Sequence, residues 1–328
     1  MPDETNFSTL TRVPARQTFI SVILPMYNEA DSIAPLFARL LPILEHVAVS
    51  WEVICVDDGS DDATLTALEQ WRLDEARIRI IRLSRNFGKE AAVSAGLQVA
   101  SGAFVLLMDS DLQHPPETLL EMVAKQARGV DIVYGIRRSR KTEGYIRRLL
   151  SEWFYRLFSR TSEVPIPANA SDFRLLTRRV VDALNALPEH NRFLKGLFAW
   201  VGYSSEAVVY DAAPRHSGKS RWSLSKLSGY AWSGIVSFSA APLRLSSFLG
   251  TIIAALALIY AGWIAISTLA FGNEVPGYTT LAVAIFFLGG LQLLSIGILG
   301  EYISRIFDET KRRPLFIIED MIGFEDDG

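Results

Sequence analysis

Cysteine is almost missing from this chain: Cys55 is the only one in 328 residues, so no disulfide framework and no zinc cluster can be built. It lies in Val53-Ile-Cys-Val56 and reads as a small buried strand residue. Histidine is scarce too, with four scattered residues at no metal-binding spacing, most of them expected to be ordinary surface residues. An excess of either charge is lacking. The 33 Lys and Arg against 36 Asp and Glu leave a net charge of -3, which argues against a general nucleic-acid binder and confines any basic surface to local patches. Met1-Pro-Asp-Glu-Thr-Asn6 has no apolar stretch, so no cleaved export signal is expected.

Charge also disappears locally. From Leu245 to Asn273 and from Val275 to Gly300 there is no Asp, Glu, Lys or Arg, and each run exceeds the ~20 apolar residues that cross a bilayer as a helix. The turn between them, Gly272-Asn-Glu-Val-Pro-Gly-Tyr278, carries no Lys or Arg, whereas Arg244 precedes the pair and Arg305, Lys311, Arg312 and Arg313 follow it. The positive-inside rule then places both ends of the hairpin, and everything before it, on the cytoplasmic side of a plasma (inner) membrane. Four regions are expected: a flexible tail at 1-17, a cytoplasmic domain at 18-240, two transmembrane helices at 241-304 and a cytoplasmic tail at 305-328.

Within the large domain, short apolar runs alternate with helical patterns. Ile20-Ser-Val-Ile-Leu24, Trp51-Glu-Val-Ile-Cys-Val56, Ile78-Arg-Ile-Ile-Arg-Leu83 and Phe104-Val-Leu-Leu-Met108 read as strands. Ile33, Leu36, Phe37, Leu40 and Leu41 keep helical spacing after the first, as do Leu65, Leu68 and Trp71 after the second. The fold class is therefore α/β, a doubly wound and mostly parallel sheet built by right-handed crossovers, followed by the two-helix hairpin. Ligands of such sheets bind at the carboxyl ends of the strands.

Those ends carry acids. None carries a Gly-x-Gly-x-x-Gly turn or a Walker lysine loop, which disfavours a dehydrogenase or a kinase. Asp57 and Asp58 follow the second strand. After the fourth comes Asp109-Ser-Asp-Leu-Gln113, in which an extended backbone would place Asp109, Asp111 and Gln113 on one side. These oxygen ligands suit Mg²⁺ or Mn²⁺, which completes its coordination with water and phosphate and so points to a nucleoside diphosphate. Lys89, in Asn86-Phe-Gly-Lys-Glu90 at the start of a small-residue helix, is placed either near a phosphate or as a solvated helix-start lysine.

Taken together, Leu24-Pro-Met-Tyr-Asn-Glu29, Val56-Asp-Asp-Gly-Ser60, Leu83-Ser-Arg-Asn-Phe-Gly-Lys89 and Asp109-Ser-Asp-Leu-Gln113 resemble the signature of the GT-A, family 2 glycosyltransferases. Ser171-Asp-Phe-Arg-Leu175, Arg192-Phe-Leu-Lys-Gly196 and Arg215-His-Ser-Gly-Lys-Ser-Arg-Trp222 are similar to its polyprenyl-phosphate branch, which includes the dolichol-phosphate mannose synthases. The hairpin and Gly300-Glu-Tyr-Ile-Ser-Arg305 narrow the resemblance towards bacterial bactoprenol glucosyltransferases. It implies that Pro25, Tyr27, Glu29 and Asp57 line a nucleotide pocket with Lys89 and Asp109, and that Asp111 and Gln113 hold the metal beside Asp109. It also implies that Asp172 acts near the reacting centre, preceded by Ser171 where the branch usually has glycine. The Gln-x-x-Arg-Trp triplet of processive synthases is absent, favouring a single sugar transfer.

The implied reaction moves one hexose, glucose from UDP-glucose first among the candidates, to a polyprenyl (undecaprenyl) phosphate with inversion at the anomeric centre. An acceptor that is already anionic needs little general base, so Asp172 is expected mainly to orient it. Other sugars, a catalytically idle nucleotide-binding scaffold and a polymer-forming enzyme are the alternatives. A homo-oligomer is implied by the resemblance alone. Basic residues for the lipid phosphate are sought in Arg137, Arg138, Arg140 and Lys141, in Arg147 and Arg148, and in a loop with Arg215, Lys219 and Arg221, in which Arg215 is also a candidate catalytic residue. Ile146, Leu149, Leu150, Trp153, Phe154, Leu157 and Phe158 form one apolar helical face flanked by Arg147, Arg148, Arg156 and Arg160. Such a helix lies in the membrane interface or packs on the protein's own core.

Overall fold

The computed structural model describes residues 19-138, 170-189, 192-211, 241-271 and 277-324. The N-terminal tail, the amphipathic segment with Arg147 and Arg148, the loop with Arg215, Lys219 and Arg221, and most of the hairpin turn lie outside the described residues.

The four apolar runs form β1 (Phe19–Met26), β2 (Ser50–Asp57), β3 (Ile78–Leu83) and β4 (Phe104–Leu107). Their continuous apolar character has a simple cause, since a parallel strand is covered on both faces. Val22 and Leu24 of β1 pack on one side against Ile33, Leu36 and Phe37 of α1 (Ala30–Val47) and Leu68 of α2 (Thr64–Asp74). Ile23 packs on the other side with Ala92 and Ala95 of α3 (Lys89–Val99). The small residues of α3 let it lie close to the sheet: a Cβ on Gly96 would stand 2.5 Å from Ile23 Cγ2.

The remaining elements are α4 (Thr118–Gln126), β5 (Ile132–Arg137), β6 (Ala170–Thr177), α5 (Arg178–Ala186), α6 (Leu194–Trp200), β7 (Ser205–Tyr210), α7 (Ala241–Phe271), α8 (Tyr278–Lys311) and β8 (Ile318–Ile322). The eight strands form one sheet in the order β7-β5-β6-β4-β1-β2-β3-β8. β6 runs antiparallel to β4 and β5, and β8 antiparallel to β3, while the other pairings are parallel. The sheet is thus α/β and mostly parallel, with the four strands read from the sequence at its centre.

The C-terminal segment departs from expectation. The stretch 305-328 was expected as a tail, yet α8 continues to Lys311 and β8 pairs with the outer edge of β3. Ser84 N–H donates to Ile317 C=O at 3.0 Å, and Phe316, Ile318 and Phe324 pack on the α3 side of the core. An uncovered β3 edge would offer unpaired amides, and β8 satisfies them. The two uncharged runs form α7, of 31 residues, and α8, of 34, and Ser246 and Ser295 join them through a 3.0 Å hydroxyl contact. Among the described residues one stretch, Phe287–Lys311, is long and apolar enough to cross a membrane, with none of it buried. Phe248, Leu256, Ile259 and Trp263 of α7 are exposed as well, an apolar surface that water solvates poorly.

Candidate active site

β1, β2 and β4 are neighbours, so their carboxyl ends deliver Pro25-Met-Tyr-Asn-Glu29, Asp57-Asp-Gly-Ser60 and Asp109 to Gln113 to one rim. Antiparallel β6 brings its first residues to the same rim. Its pairing with β4 ends with Leu107 opposite Arg174, and two residues further on this register leads to Asp109 and Asp172.

The nucleotide-side loops are tied together. Asn28, at φ 55°, receives the Asp61 amide on its Oδ1 at 3.0 Å and donates its own amide to Ser60 Oγ at 3.0 Å. Glu29 N–H donates to Thr64 Oγ1 at 2.9 Å and the Glu29 carboxylate accepts the Ser32 hydroxyl at 2.8 Å, so this acid also fastens the start of α1. Tyr27 is half-buried beside it, and Pro25 C=O accepts the Ser110 hydroxyl at 3.4 Å.

The paired acids after β2 have different duties. Asp57 is fully buried; its Oδ1 accepts the Ser60 amide at 3.1 Å, while Oδ2 has no hydrogen-bond partner among the described residues. A buried carboxylate oxygen left this way is costly, and a hydroxyl or N–H of a ligand would satisfy it. Asp58 instead accepts the amides of Phe87 at 2.7 Å and Gly88 at 2.9 Å. Burial pushes its carboxyl up, against those two amides and helped by neighbouring Asp57. Asp58 therefore shapes the loop that leads to Lys89. Gly59 makes the approach possible, because at φ 66° a Cβ there would meet the Arg85 backbone at 2.5 Å.

The Asp109 to Gln113 segment is not the extended run that the sequence suggested. β4 stops at Leu107, and Leu112 adopts φ 61°, a left-handed value unusual for a branched side chain. The physical reason is local: Asp111 Oδ1 accepts the Gln113 amide at 3.1 Å, which closes an Asx turn. Alternation along a strand therefore does not align Asp109, Asp111 and Gln113, which sit on a turn past the end of β4.

Lys89 keeps a solvent-exposed side chain at the start of α3, yet its ammonium is turned to the acids. Its Nζ lies 2.6 Å from Asp109 Oδ1 and 2.7 Å from Asp172 Oδ2. Burial works against its charge, but the two carboxylates outweigh it and hold the ammonium well above the usual lysine range. Asp172 is gripped on its other oxygen by Lys195 Nζ at 3.6 Å. Burial would raise its carboxyl, yet Lys89, Lys195 and Arg174 keep it well below the usual carboxylate range.

Several contributing residues were not read from the sequence. His114, expected among the surface histidines, is buried, accepts the Asp109 amide on Nδ1 at 3.2 Å and stacks on Phe173 with centroids 5.0 Å apart. Tyr210 closes this cluster edge-on at 5.7 Å from His114. Burial pushes the imidazole down, and an Nδ1 that accepts an N–H carries no proton of its own, which leaves Nε2 as the nitrogen that bears one. The signal available was position alone, one residue past Gln113 and just ahead of Pro115-Pro116. Arg174 is buried on β6 with its guanidinium 4.4 Å from the Phe198 ring. Ser171 donates its hydroxyl to Gly135 C=O at 2.9 Å, at the point where the β5–β6 register shifts. Of the arginines sought for a lipid phosphate, Arg137 ends β5, and Arg138 is paired with Asp211 at 3.0 Å.

Among the described residues no three His, Cys, Asp or Glu side chains converge as a metal cage. The donor set is two carboxylates and one amide on a single turn, the kind that takes a hard cation together with phosphate oxygens. A cationic group already stands at Asp109, in the form of the Lys89 ammonium.

The chain is similar to known proteins over nearly its whole length. The family described as Glycosyl transferase family 2 matches residues 21–184, and the GtrB C-terminal hairpin matches residues 241–306. An uncharacterized glycosyltransferase of Synechocystis sp. is 47% identical over 306 residues, 93% of this chain and 96% of that protein. The bactoprenol glucosyl transferase of Shigella phage SfV is 41% identical over 300 residues, 92% of this chain and 98% of that one. Glucosyl-3-phosphoglycerate synthase from Mycobacterium tuberculosis, solved with Mn²⁺, UDP and phosphoglyceric acid, is 19% identical with a TM-score of 0.45, covering 67% of this chain and 76% of that one. With a rim of acids at the strand ends of a mostly parallel sheet, and with relatives this close over nearly its whole length, the chain belongs to glycosyl transferase family 2 and is a glycosyltransferase of the GT-A fold.

Proposed function

We propose that this enzyme transfers a single hexose, glucose from UDP-glucose, onto a polyprenyl phosphate at the cytoplasmic face of a membrane, with inversion at the anomeric carbon. The observation that carries this reading is the cluster at the rim: Asp109, Lys89 and Asp172 in one chain of ion pairs, with a buried Asp57 oxygen at a strand end of the same rim that lacks a partner among the described residues. The relatives named bactoprenol glucosyl transferase support the acceptor and the sugar.

The residues fit the roles. Asp57 Oδ2 takes a ribose or base hydrogen from the nucleotide, which satisfies its buried lone pairs. Asp109, Asp111 and Gln113 would hold Mg²⁺ or Mn²⁺. When bound, that ion supplies Lewis-acid neutralisation of the charge developing on the departing diphosphate. Lys89 contributes a fixed positive charge beside the same oxygens, and its anchorage at the start of α3 gives it little freedom to wander. Asp172 is a poor proton acceptor, because Lys89 and Lys195 keep it ionised far below neutrality; it orients the acceptor. A phosphate monoester with a second pKa near ~6 is already the nucleophile at neutral pH, so no strong base is required. α7 and α8 hold this rim at the bilayer, spanning it twice with both ends on the cytoplasmic side.

Purified full-length protein in lipid nanodiscs, given Mg²⁺ or Mn²⁺, undecaprenyl phosphate and a panel of labelled UDP- and GDP-sugars, tests the proposal. The expected result is label in a mild-acid-labile lipid from UDP-glucose only. Label from another donor would overturn the choice of sugar; label from none would overturn the transferase reading for this acceptor.

A further inference from the structure

The acceptor's phosphate must come close to Asp172 if that residue is to orient it, and two anions repel unless a cation stands between them. Lys195 is the side chain placed for this. It contacts Asp172 Oδ1, the oxygen that Lys89 leaves, and at 3.6 Å the contact is an ion pair that is longer than a hydrogen bond. Lys89, at 2.7 and 2.6 Å, is by contrast tightly engaged by Asp172 and Asp109.

The charge balance points the same way. Asp109 and Asp111 belong to the metal and donor side. Asp172 faces three cations, Lys89, Lys195 and Arg174, of which Lys89 is shared with Asp109. Positive charge on this side of Asp172 suits an anion. Lys195 is also rigidly mounted. Leu194, Leu197 and Phe198 bury α6 in the core, and the buried Arg192 just ahead of it reaches Leu187 C=O at 2.9 Å and Ser94 Oγ at 3.4 Å. Ser94 lies on α3, the helix that begins with Lys89, so this contact ties the helix of one lysine to the segment just ahead of the other.

We propose that Lys195 is an acceptor-binding residue whose ammonium bridges Asp172 and a phosphate oxygen of the lipid acceptor, setting the nucleophile beside the donor sugar. The inference rests on the lipid-phosphate reading above. Its source is the phosphate head: the four-carbon stem of Lys195 presents a point charge, which tolerates any prenyl tail.

The test uses the full chain in nanodiscs, loaded with Mn²⁺ and UDP and titrated with farnesyl phosphate, with farnesol and inorganic phosphate as controls. Lys195→Met is expected to weaken farnesyl phosphate binding by about tenfold, a loss of ~1.4 kcal/mol, with Mn²⁺·UDP affinity changed less than about twofold. Lys195→Arg should restore most of the acceptor affinity, and Lys195→Gln should repeat the methionine result. Unchanged acceptor affinity in Lys195→Met would overturn the inference. Equal weakening of Mn²⁺·UDP and farnesyl phosphate, with a lowered Tm, would overturn it too, by showing a purely structural ion pair. Wild-type protein that binds Mn²⁺·UDP but not farnesyl phosphate would instead remove the acceptor reading on which the inference stands.

Discussion

Replacing Asp58 by asparagine separates the support of the site from its chemistry. Asp58 is 3% exposed, and its two oxygens accept the Phe87 and Gly88 amides at 2.7 and 2.9 Å. Asparagine keeps one of these bonds in neutral form and turns an NH₂ towards the second amide, so two donors face each other. A hydrogen bond to a charged group contributes about 1.5–3 kcal/mol, and a buried donor left unpaired costs about 1–3 kcal/mol. Two effects reduce the sum: Phe87 and Gly88 are only half-buried, and burial already raises the Asp58 carboxyl, so removing the charge returns some desolvation. The net loss is about 2 kcal/mol, which for a domain of this size lowers Tm by roughly 4–8 °C. Because Gly88 caps α3 and Lys89 opens it, Mn²⁺·UDP affinity should fall about tenfold as well. Thermal unfolding followed by near-UV circular dichroism and titration calorimetry read the two effects. An unchanged Tm with weakened nucleotide binding would refute the reasoning, since it would make Asp58 a ligand and not a brace.

Other outcomes follow from the same geometry. Asp172 has a lowered pKa, so its ion-pair stabilisation is present above the ordinary carboxylate value of ~3.9 and is lost only as pH falls through the depressed one. Lys89 has a raised pKa, so its contribution is complete below ~10.4 and is lost as pH rises through the raised value. Neither titrates between about pH 5 and 9, so the acid limb of kcat/KM should follow the acceptor phosphate near pH ~6. An acid limb that vanishes in Asp172→Asn would contradict this. His114→Ala removes the acceptor of the Asp109 amide and the stacking partner of Phe173, and should cost about 2–4 kcal/mol of stability together with metal-dependent UDP binding. Retention of both would show that His114 does not position the turn. Cys55 is fully buried and its thiol is pushed up by burial, so maleimide should label the chain only on unfolding; rapid labelling of folded protein, seen by mass spectrometry, would contradict the packing.

The centre of the fold was legible because its signal is local. Val53 to Val56 and Phe104 to Leu107 are apolar without interruption, and a strand covered on both faces has no other way to read. β5, β6, β7 and β8 were harder. Ser171-Asp-Phe-Arg-Leu175 mixes charge into its strand because Asp172 faces the rim and Arg174 finds the Phe198 ring, partners far away in sequence. β8 is a five-residue strand, Ile318-Glu-Asp-Met-Ile322, that exists because the β3 edge needs covering. In the site, the acids after β2 and β4 were found by their position past strands, whereas the roles expected of Asp57, Asp109 and Asp111 came from the resemblance and not from spacing. Asp57 and Asp58 look equivalent in sequence, and only the distance to Phe87 and Gly88 tells the brace from the residue with an oxygen unpaired among the described residues. Likewise Lys195, unremarkable in Arg192-Phe-Leu-Lys-Gly196, gains its meaning from the clamp between Arg192 and Ser94.

Equilibrium binding of UDP to the purified chain, with and without Mn²⁺, tests most directly whether the turn after β4 holds a cation against a diphosphate. Wild-type protein should bind UDP at least about tenfold more tightly with Mn²⁺ present, and Asp111→Asn should lose that gain while keeping the wild-type Tm. A metal-dependent gain that survives in Asp111→Asn would contradict the assignment of this turn as the metal seat.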